Sequence, residues 1–217
     1  KTAYDIASCL VGSEMCIRDR ERDERSLFKM PNNLKLGNFI GTKFENFNNI
    51  ENLEGSSMSI HSDHLFDPTL TFEIIEWIKE VSALPVLVKG ILRPDDAQNA
   101  LNHGADGIII SNHGGRQLDT AVPTLKQIEP IRKQIGKEPL LIVDGGIRRG
   151  TDILKCIALG ANAVQIGRPL LWGLNHSGQS GVELVLDIIN KEFIESMTLS
   201  GCRDISEIDR DLVLINK

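Results

Sequence analysis

The sequence predicts an α/β fold of the (β/α)8 TIM-barrel type, with only about the C-terminal half of the barrel present. Three observations predict it. Short apolar runs alternate with helix-patterned stretches from Asp67 to Leu199, which implies a parallel sheet. Each apolar run opens at its C-terminal end into glycines and polar residues, where a barrel of this kind keeps its chemistry. A helix-stop, strand-start device also recurs: Gly104-Ala105-Asp106-Gly107-Ile108 echoes Gly160-Ala161-Asn162-Ala163-Val164. Four short strands suit a barrel better than an open sheet, yet they are only half of the strands that close one. Either the upstream half is missing or this is an unusual half-barrel.

The elements follow in order. Asp67-Pro68 offers an N-cap carboxylate and a first-turn proline to a helix on which Leu70, Ile74, Ile75 and Ile78 share one face. Leu84 to Val88 reads as a short buried strand ending at Lys89-Gly90. Pro94-Asp95-Asp96 opens the second helix, which Gly104 closes. Asp106 to Ser111 is the second strand, and its apolar stretch from Gly107 to Ile110 fits full burial. Pro123 begins the third helix, with Leu125, Ile128, Ile131 and Ile135 in register up to Gly136. Leu140 to Val143 is the third strand, ending at Asp144-Gly145-Gly146. Thr151 or Asp152 starts the fourth helix, which stops at Gly160. Ala163 to Ile166 is the fourth strand, ending at Gly167-Arg168-Pro169. Ser180 with Glu183 reads as a capping box for a long helix to about Leu199.

Three segments are expected. Residues 1–19 have no clear period and no secretory pattern. The run from Ser8 to Asp19 resembles translated adapter sequence, so this segment is set aside as foreign or unstructured. Residues 20–66 form an extended segment and a long loop, opening on the charged run Arg20 to Arg25 and then rich in Asn, Gly and Ser. Loops of that length are lids, binding loops or mobile segments. Residues 67–217 carry the barrel units.

Composition narrows the function classes. At 217 residues, 41% hydrophobic and 25% charged, the chain is an ordinary soluble globular protein with room for one large domain or two small ones. A net charge of −6 argues against nucleic acid as the main partner. No apolar run reaches the roughly 18 residues that a membrane span needs. Cys9, Cys16, Cys156 and Cys202 lack metal-type spacing and read as reduced thiols, which points to the cytoplasm. His61 and His64 read as solvated loop histidines, and no metal site is expected. The sequon Asn175-His176-Ser177 is discounted because nothing indicates secretion. The last residues, Ile215-Asn216-Lys217, are not a peroxisomal tripeptide.

The densest polar cluster is Ser111-Asn112-His113-Gly114-Gly115-Arg116-Gln117-Leu118-Asp119. His113 can exchange a proton near neutral pH. Arg116 can hold a carboxylate with two parallel hydrogen bonds. Gly114 and Gly115 let the backbone turn tightly. The strand-end rule adds Lys89 from the first strand, Asp144, Gly145 and Gly146 with Arg148 and Arg149 from the third, and Gly167 and Arg168 from the fourth. The last two loops are where such barrels bind phosphate, with glycine N–H groups, a helix N-terminus and the charges of Arg148 and Arg168. A phosphorylated cofactor or substrate is therefore expected. Plainer alternatives exist for each residue. Lys89 could snorkel to water, Asp144 could cap its own turn, Arg168 could form a surface pair, and the 111–119 loop could merely face solvent. Arg149 reads as solvent-facing, His103 as a complement to its helix dipole, His176 as a loop histidine, and Trp77 and Trp172 as packing residues.

Ser111 to Asp119, together with Leu84 to Gly90, Asp144 to Thr151, Gly167-Arg168-Pro169 and Leu199 to Arg203, resembles the FMN-dependent α-hydroxy-acid oxidase/dehydrogenase family. That family includes glycolate oxidase and the L-lactate oxidases and dehydrogenases. The resemblance runs from about Arg20 to Asp211. It implies FMN as cofactor, His113 as the active-site base and Arg116 as the grip on the substrate carboxylate. It implies that Lys89 lies against the flavin and stabilises negative charge on the reduced ring, and that Ser111 also contacts the cofactor. Asp144, Gly145, Gly146, Ile147 and Arg148 are implied to hold the ribityl chain and phosphate, with Gly167 and Arg168 completing the phosphate site. Arg20 falls on a second substrate-binding arginine.

The implied reaction oxidises an (S)-2-hydroxy acid of the glycolate or L-lactate type to a 2-oxo acid. Oxygen, a quinone or a cytochrome is the implied electron acceptor, and the full-length protein is implied to be a homo-oligomer. Two departures stand out. Ser13 occupies the place of an acidic partner of the histidine, and Tyr4 is the only tyrosine, so the family's substrate-binding tyrosines have no match. The expectation is a C-terminal fragment that binds FMN weakly and turns over poorly. Two rival readings stay open here: a phosphate-binding barrel with isomerase or lyase chemistry and no flavin, and an inactive fragment.

Overall fold

The computed structural model describes residues 69–116, 118 and 120–214. The chain divides into two compact units, one of Thr71–Gly115 with Thr120–Lys217, the other of Lys1–Leu70 with Arg116–Asp119. In the latter, only Thr69, Leu70, Arg116 and Leu118 are described, and Leu70, Arg116 and Leu118 are exposed. The expectations for residues 1–19 and 20–66, and those placed on Arg20, His61, His64, Asp67 and Pro68, lie outside the described residues.

In the larger unit strand and helix alternate: α1 (Glu73–Val81), β1 (Leu87–Ile91), α2 (Pro94–Asn102), β2 (Gly107–Ile110), α3 (Leu125–Ile135), β3 (Leu140–Val143), α4 (Gly150–Ala158), β4 (Ala163–Val164) and α5 (Arg168–Leu199). The strands form one parallel sheet in the order β1-β2-β3-β4. Parallel neighbours need a crossover, and each crossover here carries a helix. An order that never reverses is that of barrel staves, not of a doubly wound sheet.

Register sorts the side chains by face. Ile108 pairs with Leu141 and Ile110 with Val143, and all four are at most 1% exposed. They join Ile128, Ile131, Leu154 and Cys156 from the helices in one core. Burying each such side chain contributes about 1.5–3 kcal/mol. An exposed pair such as Arg93–Asp95 adds at most a fraction of that, so the core decides stability. Alternation puts Lys89, Ile109, Ile142 and Ala163 in a row on the opposite face. Ser111 and Asp144, two residues beyond Ile109 and Ile142, continue that face.

Several boundaries differ from the sequence reading. β1 begins at Leu87 rather than Leu84, and it runs through Gly90 instead of ending there. Pairing slips between Lys89 and Ile91, and Gly90 has φ +99°, so the glycine is a β-bulge. The bulge turns Ile91, which pairs with Ile110, into the core while Lys89 stays on the other face. α1 starts at Glu73, with Phe72 at its cap position and no side-chain cap bond. β4 is only two residues long.

The last helix starts at Arg168, not Ser180. Pro169 suits its first turn, and a break at Ser177-Gly178 divides it. The Ser180 hydroxyl donates to the Ser177 carbonyl (2.8 Å), and Glu183 accepts from Gln179 (2.8 Å), so the anticipated capping box does not form. His176 is therefore the exposed last residue of a helical turn, not a loop histidine. The helical segments either side of the break pack closely, since a Cβ on Gly173 would lie 2.4 Å from the Gly181 carbonyl oxygen. No helix among the described residues is long and apolar enough to cross a membrane.

The internal echo is one device used twice. Gly104 and Gly160 take φ +94° and +107° just past α2 and α4. Asp106 N donates to the Val86 carbonyl (2.8 Å), and Val86 N donates to Asp106 Oδ2 (2.6 Å). Asn162 makes the same exchange with Leu141, at 2.7 Å and 2.8 Å. A cation from the helix before the partner strand grips each side chain: Lys79 on Asp106 (2.7 Å), Arg132 on Asn162 (2.6 Å). Arg132 also donates to the carbonyls of Gly136, Pro139 and Gly160 at 2.8, 2.9 and 2.8 Å, a spread that only a planar guanidinium spans.

Two consequences can be measured. Lys79 and the Val86 N–H hold the Asp106 carboxyl below its usual range. Such a group stabilises the fold above its unfolded value of about 4, and the contribution is lost as pH falls through the lower native value. Asp106→Asn, which copies Asn162, is expected to keep the Val86 bond and flatten this acid limb. Urea unfolding of both proteins at about pH 3 and pH 7 measures the difference. Burial pushes the Cys156 thiol up to about 12. Cys156 is therefore expected to resist iodoacetamide at about pH 8 in the native protein and to react on unfolding, as read by peptide mass mapping.

Candidate active site at the strand ends

Three strand ends meet at one ammonium group. Lys89 Nζ, from β1, donates to Ser111 Oγ beyond β2 (2.8 Å) and to Asp144 Oδ2 beyond β3. The Lys89 and Asp144 side chains are 33% and 17% exposed, and Ser111 is 3% exposed. Ser111 Oγ also accepts from His113 N (3.1 Å). With two donors on one oxygen, the Ser111 hydroxyl proton is left to point elsewhere. Two of the three N–H donors of Lys89 are used among the described residues, and one remains for a ligand.

His113 sits in a tight turn, His113–Gly115, with φ of +52°, +65° and +74° along its three residues. Left-handed backbone is costly for a residue with a Cβ. Here the Gly115 N to Asn112 carbonyl bond (2.9 Å) and the His113 N to Ser111 bond hold it. Arg168 Nη2 donates to the Gly114 carbonyl at 3.3 Å. Arg116 follows this turn directly but belongs to the other compact unit.

The turn after β3 rests on Thr124, which the sequence reading did not single out, and on Asn112 of the polar cluster, to which it gave no role. Thr124, 3% exposed, donates its hydroxyl to the Asp144 carbonyl at 2.6 Å. Asn112 Nδ2 donates to the Val122 carbonyl at 3.3 Å. Gly145 has φ +92°, and a Cβ there would lie 3.1 Å from both Asn112 Oδ1 and Thr124 Oγ1. The sequence signal was a buried threonine where a surface N-cap is usual, and that shows only once burial is known.

The remaining anticipated residues divide. Gly146 and Gly167 are open, with nothing within 4 Å of an added Cβ. The Ile147 side chain is in the core at 7% exposure, so only its peptide can face a ligand. Arg148 is exposed and stacks 5.0 Å over the ring of Trp172, which is 55% exposed instead of packed inside. The N–H groups of Arg148 and Arg149 both donate to Asp152 Oδ2 (3.0 Å), and that of Gly150 donates to Glu192 (3.0 Å). The N-terminus of α4 is thus already satisfied by protein carboxylates. Arg149 is exposed, beside Glu192, and His103 Nδ1 donates to the Asn99 carbonyl (2.8 Å) at the end of α2.

The arrangement has the donors and acceptors that an FMN needs. Asn112 Oδ1 and Asp144 Oδ1 are buried acceptors with no partner among the described residues, suited to hydroxyl or ring N–H donors. The third Lys89 proton and the Ser111 hydroxyl suit ring acceptors. Gly167 leaves open backbone next to the Arg168 cation, and Gly146 leaves open backbone after β3, which suits a phosphate. These residues fit the group.

Comparison with known proteins agrees. The FMN-dependent dehydrogenase family matches residues 14–215. The 2-hydroxyacid oxidase of Dictyostelium discoideum is 46% identical over 194 residues, which cover 89% of this chain and 48% of that protein. An L-lactate oxidase from a Nostoc species is 43% identical over 204 residues, covering 94% and 55%. A crystal structure of mandelate oxidase with (S)-4-hydroxymandelic acid matches with a TM-score of 0.78 at 39% identity, over 87% of this chain and 52% of that one. The chain spans about half the length of the relatives it matches, and its four-stranded parallel sheet is part of a (β/α)8 barrel. By the match along nearly its whole length and the fold it shares, the chain belongs to the FMN-dependent dehydrogenase family.

Proposed function

We propose that this chain carries part of the active site of an FMN-dependent enzyme that oxidises an (S)-2-hydroxy acid, of the glycolate or L-lactate type, to a 2-oxo acid. The observation that carries the reading is the Lys89 ammonium, held between Ser111 and Asp144 on the face that continues to the His113 turn. Its relatives' names, a 2-hydroxyacid oxidase and an L-lactate oxidase, support the substrate class.

FMN supplies the two-electron redox chemistry when bound. Lys89, Ser111 and Asp144 hold its ring and ribityl chain, with Gly145, Gly146, the Ile147 peptide and Arg148 beyond them. Gly167 and Arg168 take the phosphate. Lys89 brings fixed positive charge to the site without reorganising, because Ser111 and Asp144 already aim it. Arg116 orients the substrate carboxylate through its guanidinium fork, and Arg20 adds a second grip. The His113 imidazole takes the proton that the hydroxy acid gives up. Its turn is fixed by the Ser111 hydroxyl and the Arg168 guanidinium, which sets the direction in which the His113 side chain leaves the backbone.

The reaction would need an electron acceptor: oxygen, a quinone or a cytochrome. The free, buried thiols of Cys156 and Cys202 support a reducing compartment, the cytoplasm. Exposed Leu171, Leu174, Leu184 and Ile188 on α5 support self-association of the full-length protein.

The test is anaerobic mixing of the FMN-loaded protein with L-lactate or glycolate while the flavin's visible band is followed. Bleaching is expected. His113→Asn is expected to keep FMN and to lose bleaching rate by about 10²–10⁴-fold. Bleaching at the full rate in that variant, or no FMN uptake by the parent, refutes the reading. In the cradle, Gly145→Ala has both a left-handed φ and two contacts at 3.1 Å to overcome, whereas Gly146→Ala meets only the φ. Gly145→Ala is expected to cost about 1–3 kcal/mol of stability and to weaken FMN binding more than Gly146→Ala does, as read by urea unfolding and flavin titration.

A further inference from the structure

We propose that Thr124 is a positioning residue: its hydroxyl fixes the Asp144–Gly145 peptide, and through it the carboxylate that holds Lys89. The proposal rests on the reading of this corner as the FMN site. Thr124 stands at the cap position of α3, where a threonine hydroxyl ordinarily accepts from the first turn's N–H groups. Here the residue is already helical (φ −58°, ψ −36°) and makes no cap bond. The hydroxyl is instead given to another strand end, at 2.6 Å from the Asp144 carbonyl and 3.5 Å from that of Gly145.

The Asp144 backbone is thereby held at both ends. Its N–H donates to the Ile110 carbonyl in β2 (3.0 Å), and its carbonyl is held by Thr124. The next peptide is wedged as well, because the Cβ direction of Gly145 is closed by Thr124 Oγ1 and Asn112 Oδ1 at 3.1 Å and by Thr124 Cγ2 at 3.5 Å. A carboxylate on so short a side chain has little freedom once its backbone is fixed, so its direction toward Lys89 follows. The Thr124 hydroxyl bonds only backbone carbonyls among the described residues, and Lys89 bonds Ser111 and Asp144, so Thr124 acts on Lys89 through Asp144.

Substitution separates this role from packing. Valine keeps the shape of threonine and loses the donor; serine keeps the donor and loses a methyl group. A packing role would survive valine and suffer from serine, and the hydroxyl role predicts the reverse. The full 217-residue chain is compared as parent, Thr124→Val and Thr124→Ser. Amide hydrogen exchange at Asp144 is measured without FMN, and FMN is titrated by flavin fluorescence. Losing one buried donor is expected to speed Asp144 exchange and weaken FMN binding about tenfold each in Thr124→Val, with Thr124→Ser within about threefold of the parent.

Parent-like exchange in the valine variant, or equal impairment in both variants, overturns the proposal. If Thr124→Val does not fold, Thr124→Ala against Thr124→Ser makes the same comparison, and equal exchange in that pair overturns it. A parent that takes up no FMN refutes the cofactor reading, while the exchange measurement still decides the role of Thr124.

Discussion

One ammonium group ties the functional rim together. Lys89 reaches over β2 to Asp144 on β3 and touches Ser111 on the way. Taking a lysine and an aspartate partly out of water costs several kcal/mol per ion unless each is paired and hydrogen-bonded. The pair at 33% and 17% exposure meets that condition only while all three strand ends keep their register. The geometry of the site and the pairing of the sheet are therefore one constraint. The Gly90 bulge is part of it: one extra residue directly after Lys89 sends Ile91 into the core, so the strand supplies both a buried anchor and an ammonium on the opposite face.

The two rims of the sheet divide the labour. At the strand starts, Asp106 and Asn162 lock neighbouring strands through paired backbone bonds, and Lys79 and Arg132 pin those locks to helices. The hydrogen bonds of these groups go to neighbouring strands and to the chain just past helix ends. At the strand ends the polar groups are left partly unsatisfied: a third Lys89 proton, the Ser111 hydroxyl, Asn112 Oδ1 and Asp144 Oδ1. Unsatisfied buried groups destabilise a fold. They persist where the opposite rim is over-determined, which is the arrangement expected of a barrel with its chemistry at one end.

What the sequence made legible follows from what periodicity can carry. β3 and the apolar faces of the helices were readable because Ile128, Ile131 and Ile135 recur at helical spacing and Leu140–Val143 is a bounded apolar run. Lys89, Ser111 and Asp144 were readable as strand-end residues, although not that they touch one another. Gly90 was misread because a glycine after a strand signals a stop as strongly as a bulge, and only the pairing of Ile91 with Ile110 separates the two. The start of α5 was hidden because Ser177-Gly178 breaks a helix, and Ser180-Glu183 looked like a fresh cap. Thr124 was invisible, and Asn112 was readable only as a member of the polar cluster, for a different reason: their partners, Asp144 and Val122, are backbone carbonyls, which carry no mark in a sequence.

The helix termini at this rim set how a phosphate can be held. The N-terminus of α4 looks like an anion site in sequence, coming straight after Asp144-Gly145-Gly146 and two arginines. Its N–H groups at Arg148, Arg149 and Gly150 are already committed to Asp152 and Glu192, and two carboxylates repel a third anion. Arg148 is turned onto Trp172. In the proposed FMN site a phosphate would therefore rest on the open backbone at Gly146 and Gly167 and on Arg168. That arginine already reaches the Gly114 carbonyl, one residue from His113. Any pull on its guanidinium by an anion would then be felt at the left-handed turn that carries His113, so under the proposed assignment the phosphate site and the base would share one mechanical support.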